Sequence, residues 1–314
     1  MSDCDVDLRP LRSWAEFRAC EALQREVWGE EFSELASASL LMIGQRLGGV
    51  SSAAFHPEEG LVGFVFGLTG LEDGRPVHWS HMLAVRSGYR GRGIGRRLKE
   101  HQRELLLERG VGRAHWTFDP LVAANAHFNL HRLGVHVVKY TRDMYGRSGS
   151  DLHRCLGTDR LVVVWELEDY EPVGAPGDAA GGSRIGGAAT ADGPAPDDDA
   201  SPTPAGDPAA IPLAGLPGGG ELPSASRVGI AVPRDIHALW DTDPDAACAW
   251  RASTRAAFEG YLARGYRVLD FVATRDPFPP HYLLEDAQTA GGGPTDGPPG
   301  TGSVTGDGPG GSAD

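Results

Sequence analysis

Glycine and proline decide how much of this chain can fold. The 314 residues include 44 Gly and 23 Pro, and most crowd into two stretches. From Pro172 to Ala225 nearly every residue is Ala, Gly, Pro, Asp, Ser or Thr, and Asp286 to Asp314 has the same character. Such segments carry too little apolar surface to offset the entropy of ordering them. The chain therefore divides into a first folded block over residues 6–170, a disordered insert over 171–225, a second block over 226–285 and a disordered tail over 286–314. About sixty residues make a marginal independent domain, so the second block is expected to dock on the first.

Within the first block the apolar pattern alternates between strand and helix periods. Val6–Pro10 reads as a strand, Trp14–Trp28 and Phe32–Leu47 as helices, and Val50–Phe55, Leu61–Leu68 and Val77–Val85 as strands. A helix follows over Gly93–Arg109, with Ile94, Leu98, Leu105 and Leu106 on one side and Gly110 closing it. Arg113–Phe118 is a strand, Val122–Leu133 a helix, and Val135–Tyr140 and Leu161–Leu167 are strands. That order predicts an α/β fold, a mixed and mostly antiparallel sheet with helices on both faces. In the second block Arg227–Val232 is a strand, and Asp243-Pro244 caps a helix running to Arg264. Tyr266–Ala273 and His281–Leu284 follow as strands, giving a smaller docked αβ segment.

The net charge of −14 argues against a general nucleic-acid binder, which needs clustered Lys and Arg. No apolar run is long enough to span a membrane. The acidic opening Met1–Asp7 does not read as a secretory leader. Cys4, Cys20, Cys155 and Cys248 show neither CxxC spacing nor a disulfide framework, which points to a reducing cytoplasm. The histidines lack metal-site spacing, so no metal is expected.

Against this acidic background stands Leu83-Ala-Val-Arg-Ser-Gly-Tyr-Arg-Gly-Arg-Gly-Ile-Gly-Arg-Arg-Leu98, a strand, a glycine-rich turn and a helix start. Backbone N–H groups at a helix N-terminus attract anions, and glycines let a pyrophosphate approach closely. Arg86, Arg90, Arg92, Arg96, Arg97 and Lys99 surround them. No Gly-Lys-Ser or Gly-Lys-Thr is present, and GxGxxG counted from Gly91 ends on Arg96 rather than glycine or alanine. The spacing that fits is R-x-x-G-x-G at Arg90, Gly93 and Gly95.

This loop, with Leu-Ala-Val before it, closely resembles the acyl-CoA signature of the GNAT acyltransferases. Trp116-Thr-Phe-Asp-Pro-Leu and Asn125-Ala-His-Phe-Asn-Leu-His-Arg-Leu-Gly resemble a poorly characterised subfamily of predicted acetyltransferases. The resemblance implies the GNAT fold and an acyl-CoA cosubstrate, probed first as acetyl-CoA, with no permanently bound cofactor. It implies that the backbone of Leu83, Ala84 and Val85 pairs with the pantetheine arm and that Gly91, Arg92, Gly93, Ile94, Gly95 and Arg96 hold the pyrophosphate, with Asn125 nearby. The acceptor would be an amine, of a small molecule or of a protein; a non-catalytic acyl-CoA-binding module is the other reading. A homodimer is an open assembly state.

An amine must lose a proton to attack a thioester, and His81 on the strand before the loop is the candidate base. Strict alternation would put it on one face with Leu83 and Val85, and His78 on the other. The tyrosine acid of many GNAT proteins falls here at Leu130, which has no proton to give. Tyr140 and Tyr145 are the substitutes, Tyr140 being the candidate acid. Arg251 and Arg255, one helical turn apart, either bind an acceptor carboxylate or form a solvated helix face.

Overall fold

A computed structural model describes residues 6–146 apart from 31 and 33, then 156–170 and 211–289 apart from 275–277. Most of the expected insert (171–210), the tail from 290, Cys4 and Cys155 lie outside the described residues. The element order of the first block is the one its apolar pattern predicts. It runs β1 (Asp7–Pro10), α1 (Trp14–Trp28), α2 (Ala38–Arg46), β2 (Val50–His56), β3 (Gly60–Glu72), β4 (Arg75–Val85) and α3 (Ile94–Leu107). It continues with β5 (Arg113–Phe118), α4 (Ala123–Ala126, running on as a π-helical turn over His127–Arg132), β6 (His136–Thr141) and β7 (Arg160–Glu166).

Two boundaries move for local reasons. α2 starts six residues later than its apolar run suggests, because the Ser37 hydroxyl accepts the Leu40 N–H and caps it there. β3 and β4 are longer, because Asp73 (φ 49°) and Gly74 (φ 77°) form the tight turn that right-twisted hairpins favour.

The seven strands lie in the order β1-β2-β3-β4-β5-β7-β6. All neighbours are antiparallel except β4 and β5. Two apolar clusters cover its two faces. Phe17, Cys20, Leu23 and Leu41 from α1 and α2 pack with Phe64, Phe66 and Met82. Ile94, Leu98 and Leu106 from α3 pack on the other face with Val65, Leu83, Val85 and Trp116.

The second block forms β8 (Leu213–Ala214), β9 (Arg227–Ala231), α5 (Ile236–Thr242), α6 (Pro244–Ala263), β10 (Tyr266–Val272) and β11 (His281–Asp286), with sheet order β10-β11-β9-β8. Asp243 accepts the Ala246 N–H ahead of Pro244, as the capping pair requires. Residues 211–225, expected as the end of the disordered insert, are packed instead. Leu213 and Ala214 pair in parallel with Gly229 and Ile230, and Tyr261 and Tyr266 donate their hydroxyls to the carbonyls of Pro223 and Ala225. The composition rule fails there because Leu213 and Leu222 lay their side chains against Gly229 and Gly260 of the second block. Cys248 is disulfide-bonded, although the spacing of the four cysteines shows no disulfide framework.

Candidate acyl-CoA and acceptor site

β4 and β5 start together and then part. Their parallel ladder holds only His78↔Ala114 and Trp79↔His115, so from Ser80 to Val85 the β5-facing edge of β4 is released from its neighbour. On its other edge β4 stays paired with β3 up to Gly63↔Val85. Leu83, Ala84 and Val85, buried at 2%, 1% and 2%, thus lie on a rigid strand with one open edge.

Beyond Val85 the chain turns through Ser87–Tyr89 into α3. Gly93 caps the helix at φ 71° and Gly91 sits at φ 76°, both in the left-handed region that favours glycine. No side chain caps α3 and its first turn holds no acidic residue, so no negative charge in that turn opposes the positive end of the helix dipole. Arg90 donates to the Val85 carbonyl at 3.1 Å, and Arg92 lies 5.0 Å over the Tyr89 ring. Not all of the expected basic cluster faces a ligand. Arg86 pairs with Glu26 at 2.9 Å, Arg96 with Glu100 at 2.8 Å, and Arg97 donates to the Val6 carbonyl. Lys99 turns inward and is 1% exposed.

His81 sits where the strands part, and a β-bulge decides its direction. Phe66 pairs with Met82 and Gly67 with Ser80, leaving His81 as the extra residue of β4. The strict alternation is broken there, so His81 does not share a face with Leu83 and Val85. Its ring stands edge-on to Phe66, 6.1 Å away, on the α1–α2 side of the sheet. Burial lowers its pKa, with Glu34 pulling partly the other way, so the neutral imidazole prevails at neutral pH. On the opposite face His78 is fully buried between Thr69 and Gln102, and burial drives its pKa down to about 3. Gly67 makes room for it: a β-carbon there would lie 2.2 Å from His78 Nε2.

The acetyltransferase (GNAT) family model matches residues 14–134, which contain the splayed strands, the loop and α3. This segment is a GNAT acetyltransferase domain. The family is one of acyl-CoA-dependent enzymes. Among solved structures the chain is similar to the ribosomal-protein-S18-alanine N-acetyltransferase of Escherichia coli, at 16% identity and a TM-score of 0.41, covering 56% of this chain and 99% of that one. It is similar to Arabidopsis thaliana Naa50 in complex with a bisubstrate analogue (15%, TM-score 0.40, 51% and 97%). An aminoglycoside 6'-acetyltransferase type Ii gives 16%, 0.40, 54% and 99%. No curated protein matches the chain.

The remaining expected residues do not gather at the GNAT site. Tyr140 lies on β6, separated from β4 by β5 and β7. Its ring stacks on Phe258 of α6 at 5.3 Å, and its hydroxyl donates to Asp159. Burial, then the Asp159 carboxylate, raise its pKa far above the ordinary phenol value. This is an interdomain strut and a poor acid. Tyr145 meets the Thr117 hydroxyl at 3.1 Å. Arg251 and Arg255 are neither solvated nor open to a substrate carboxylate. Arg251, 2% exposed, holds Asp119 at 2.5 Å, and Arg255 clasps both oxygens of Asp159 at 2.7 Å. Asn125 is half-buried in the first turn of α4.

Sequence reasoning missed the partners of these arginines, because Asp119 and Asp159 look like ordinary loop acids. It also missed Asn129, which accepts the Trp116 indole N–H at 3.0 Å, and the inward course of Lys99. An amphipathic reading of α3 held the latter signal: Lys99 stands one residue after buried Leu98 and three before buried Gln102. Among the described residues no helix is long and apolar enough to cross a membrane, and no cluster of three metal-ligating side chains occurs.

Proposed function

We propose that the chain transfers an acetyl group from acetyl-CoA to the amine of a small molecule by direct attack on the thioester. The observation that carries this reading is the open edge of β4 leading into the uncapped N-terminus of α3. Gly91–Arg96 would receive the pyrophosphate and Leu83–Val85 the pantetheine amides, while the bulged backbone at His81 stands where the carbonyl gains charge. His81, neutral and on the α1–α2 side, would take the proton of the attacking amine, directly or through water. Residues 211–289 would belong to the same functional unit. Tyr282 donates to the Pro120 carbonyl and Arg251 holds Asp119, both on the connection between β5 and α4. A second block standing at that connection favours small acceptors over a long peptide.

Calorimetric titration with acetyl-CoA, followed by thiol release in the presence of amino acids and polyamines, tests the reading. Binding with amine-dependent release is expected; absence of binding would refute it.

A further inference from the structure

The reading above leaves the departing thiolate without a proton donor, since Leu130 stands where a tyrosine is usual and Tyr140 serves the domain interface. Among the described residues, a titratable cation, Lys99, lies inside the fold where β4 and β5 separate. Lys99 reaches from the second turn of α3 to Ser80, the residue after the last paired position of β4, with Nζ 2.7 Å from Ser80 Oγ. The same Nζ lies 3.7 Å over the ring of Trp116, the residue after the last paired position of β5. Its other contact is Gln102 Oε1 at 3.4 Å, and no carboxylate pairs with it among the described residues.

The groups facing it are Ser80 and His78 from β4, Gln102 from α3 and Trp116 from β5, the last held by Asn129 of the π-helical turn. Behind them, Thr69 of β3 bonds the His78 ring and the charge of Arg109 bears on the same histidine. Burying an unpaired ammonium costs stability, so its retention asks for a counter-charge that arrives.

The direction from which that charge arrives follows from the loop. α3 lies on the face of its own N-terminal anion site, so Lys99 is on the donor side of the sheet and His81 on the other. A pantetheine arm, with about thirteen bonds between phosphorus and sulfur, extends to about 16 Å, the rise of roughly five strand residues. Laid along the open edge of β4 from Val85, it ends near His81 and Ser80.

We propose that the Lys99 ammonium meets the sulfur of the acyl-CoA donor at the apex of the β4–β5 splay and protonates the departing thiolate; this rests on the acyl-CoA reading. The amine nitrogen forms the new C–N bond and passes its proton to His81. The C–S bond breaks with its electron pair on sulfur, and sulfur takes a proton from Nζ. Solvent returns a proton from His81 to the neutral lysine. Burial lowers the Lys99 pKa to about 7, so both forms are accessible at neutral pH.

The test titrates the thiol of free coenzyme A bound to the full chain, read from the ultraviolet thiolate band. A free thiol titrates near pH 8.5, at about 8–9. Bound to the wild type, it should titrate about 1–3 pH units lower, as expected beside a cation. In Lys99→Met it should return to the free value or above, and Lys99→Arg should retain the lowered value. Lys99→Met should also melt no lower than the wild type, since it removes a buried charge. A wild-type complex whose thiol titrates like free coenzyme A overturns the proposal, whether or not the variants fold. So does an unchanged titration in Lys99→Met. Failure of coenzyme A to bind at all sinks the acyl-CoA reading itself.

Discussion

Replacing Arg251 by methionine tests how the second block is held. The guanidinium is 2% exposed and lies 2.5 Å from Asp119, whose next cation, Arg160, is 3.6 Å away. At an effective dielectric near 20 such a pair is worth about 4 kcal/mol. Removing one partner of a buried pair costs about 3–5 kcal/mol, because the other charge stays buried. The Asp119 side chain keeps 22% of its accessibility and Arg160 remains, so the lower part of that range applies, about 3 kcal/mol. In urea, with a slope of about 1–3 kcal/mol per molar, the unfolding midpoint should fall by roughly 1–3 M. Tryptophan fluorescence reports it through Trp116 in the first block and Trp250 on α6. Asp119→Asn combined with Arg251→Met should lose less than the sum of the single changes.

The acid limb gives a second readout of the same variant. Burial alone would raise the Asp119 carboxyl, but the charges of Arg251 and Arg160 outweigh it and hold the pKa below its ordinary value; Asp159 is held down likewise by Arg255 and Tyr140. A depressed carboxyl contributes stability that is present above its unfolded pKa and lost as pH falls through the folded one. The loss should therefore set in below about pH 4, and Arg251→Met should flatten it. A midpoint change worth less than about 1 kcal/mol, or strict additivity in the double variant, would show that the pair does not couple the blocks.

Three further outcomes follow. His81→Gln should lower kcat by about 10²–10⁴-fold while leaving acetyl-CoA affinity intact, and the wild-type rate should fall as pH drops through the depressed His81 pKa, below about 6.5. Tyr140→Phe should cost about 1–3 kcal/mol in urea unfolding with kcat unchanged, since its hydroxyl serves Asp159. Gly67→Ala should lower the melting temperature, with a loss of about 1–3 kcal/mol, because the methyl would meet His78 Nε2 and the Trp79 carbonyl.

The fold was legible in the sequence wherever periodicity and punctuation agreed. Trp14–Trp28 shows it, with Ser13 capping the start and Gly29 ending it, as does α6 behind Asp243-Pro244. The loop was legible because an anion site needs particular residues at a particular spacing. What stayed hidden depends on neighbours distant in the chain. The bulge that turns His81 away from Leu83 arises from register against Phe66 and Gly67, which alternation along β4 alone does not contain. Arg251 and Arg255 read as a solvated face or a ligand site because their carboxylates come from the first block. The packed stretch at 211–225 has the composition of a linker and acquires order from Gly229, Tyr261 and Tyr266.

Asp119 and Arg251 are 132 residues apart, and Tyr282 reaches back 162 residues to Pro120. During synthesis the ribosome completes the segment that the family model covers long before it makes the helix carrying the counter-charge. The nascent chain can lay down α1 to α4 from local contacts, but the acid on the connection after β5 meets only Arg160 of β7 at first and gains its closer partner, Arg251, when α6 emerges. Closure of so long a loop is slow relative to the helices and hairpins before it. A fragment ending at Gly134 would therefore mimic an intermediate of translation, with Asp119 hydrated and β5 lacking its β7 neighbour, rather than a smaller working enzyme.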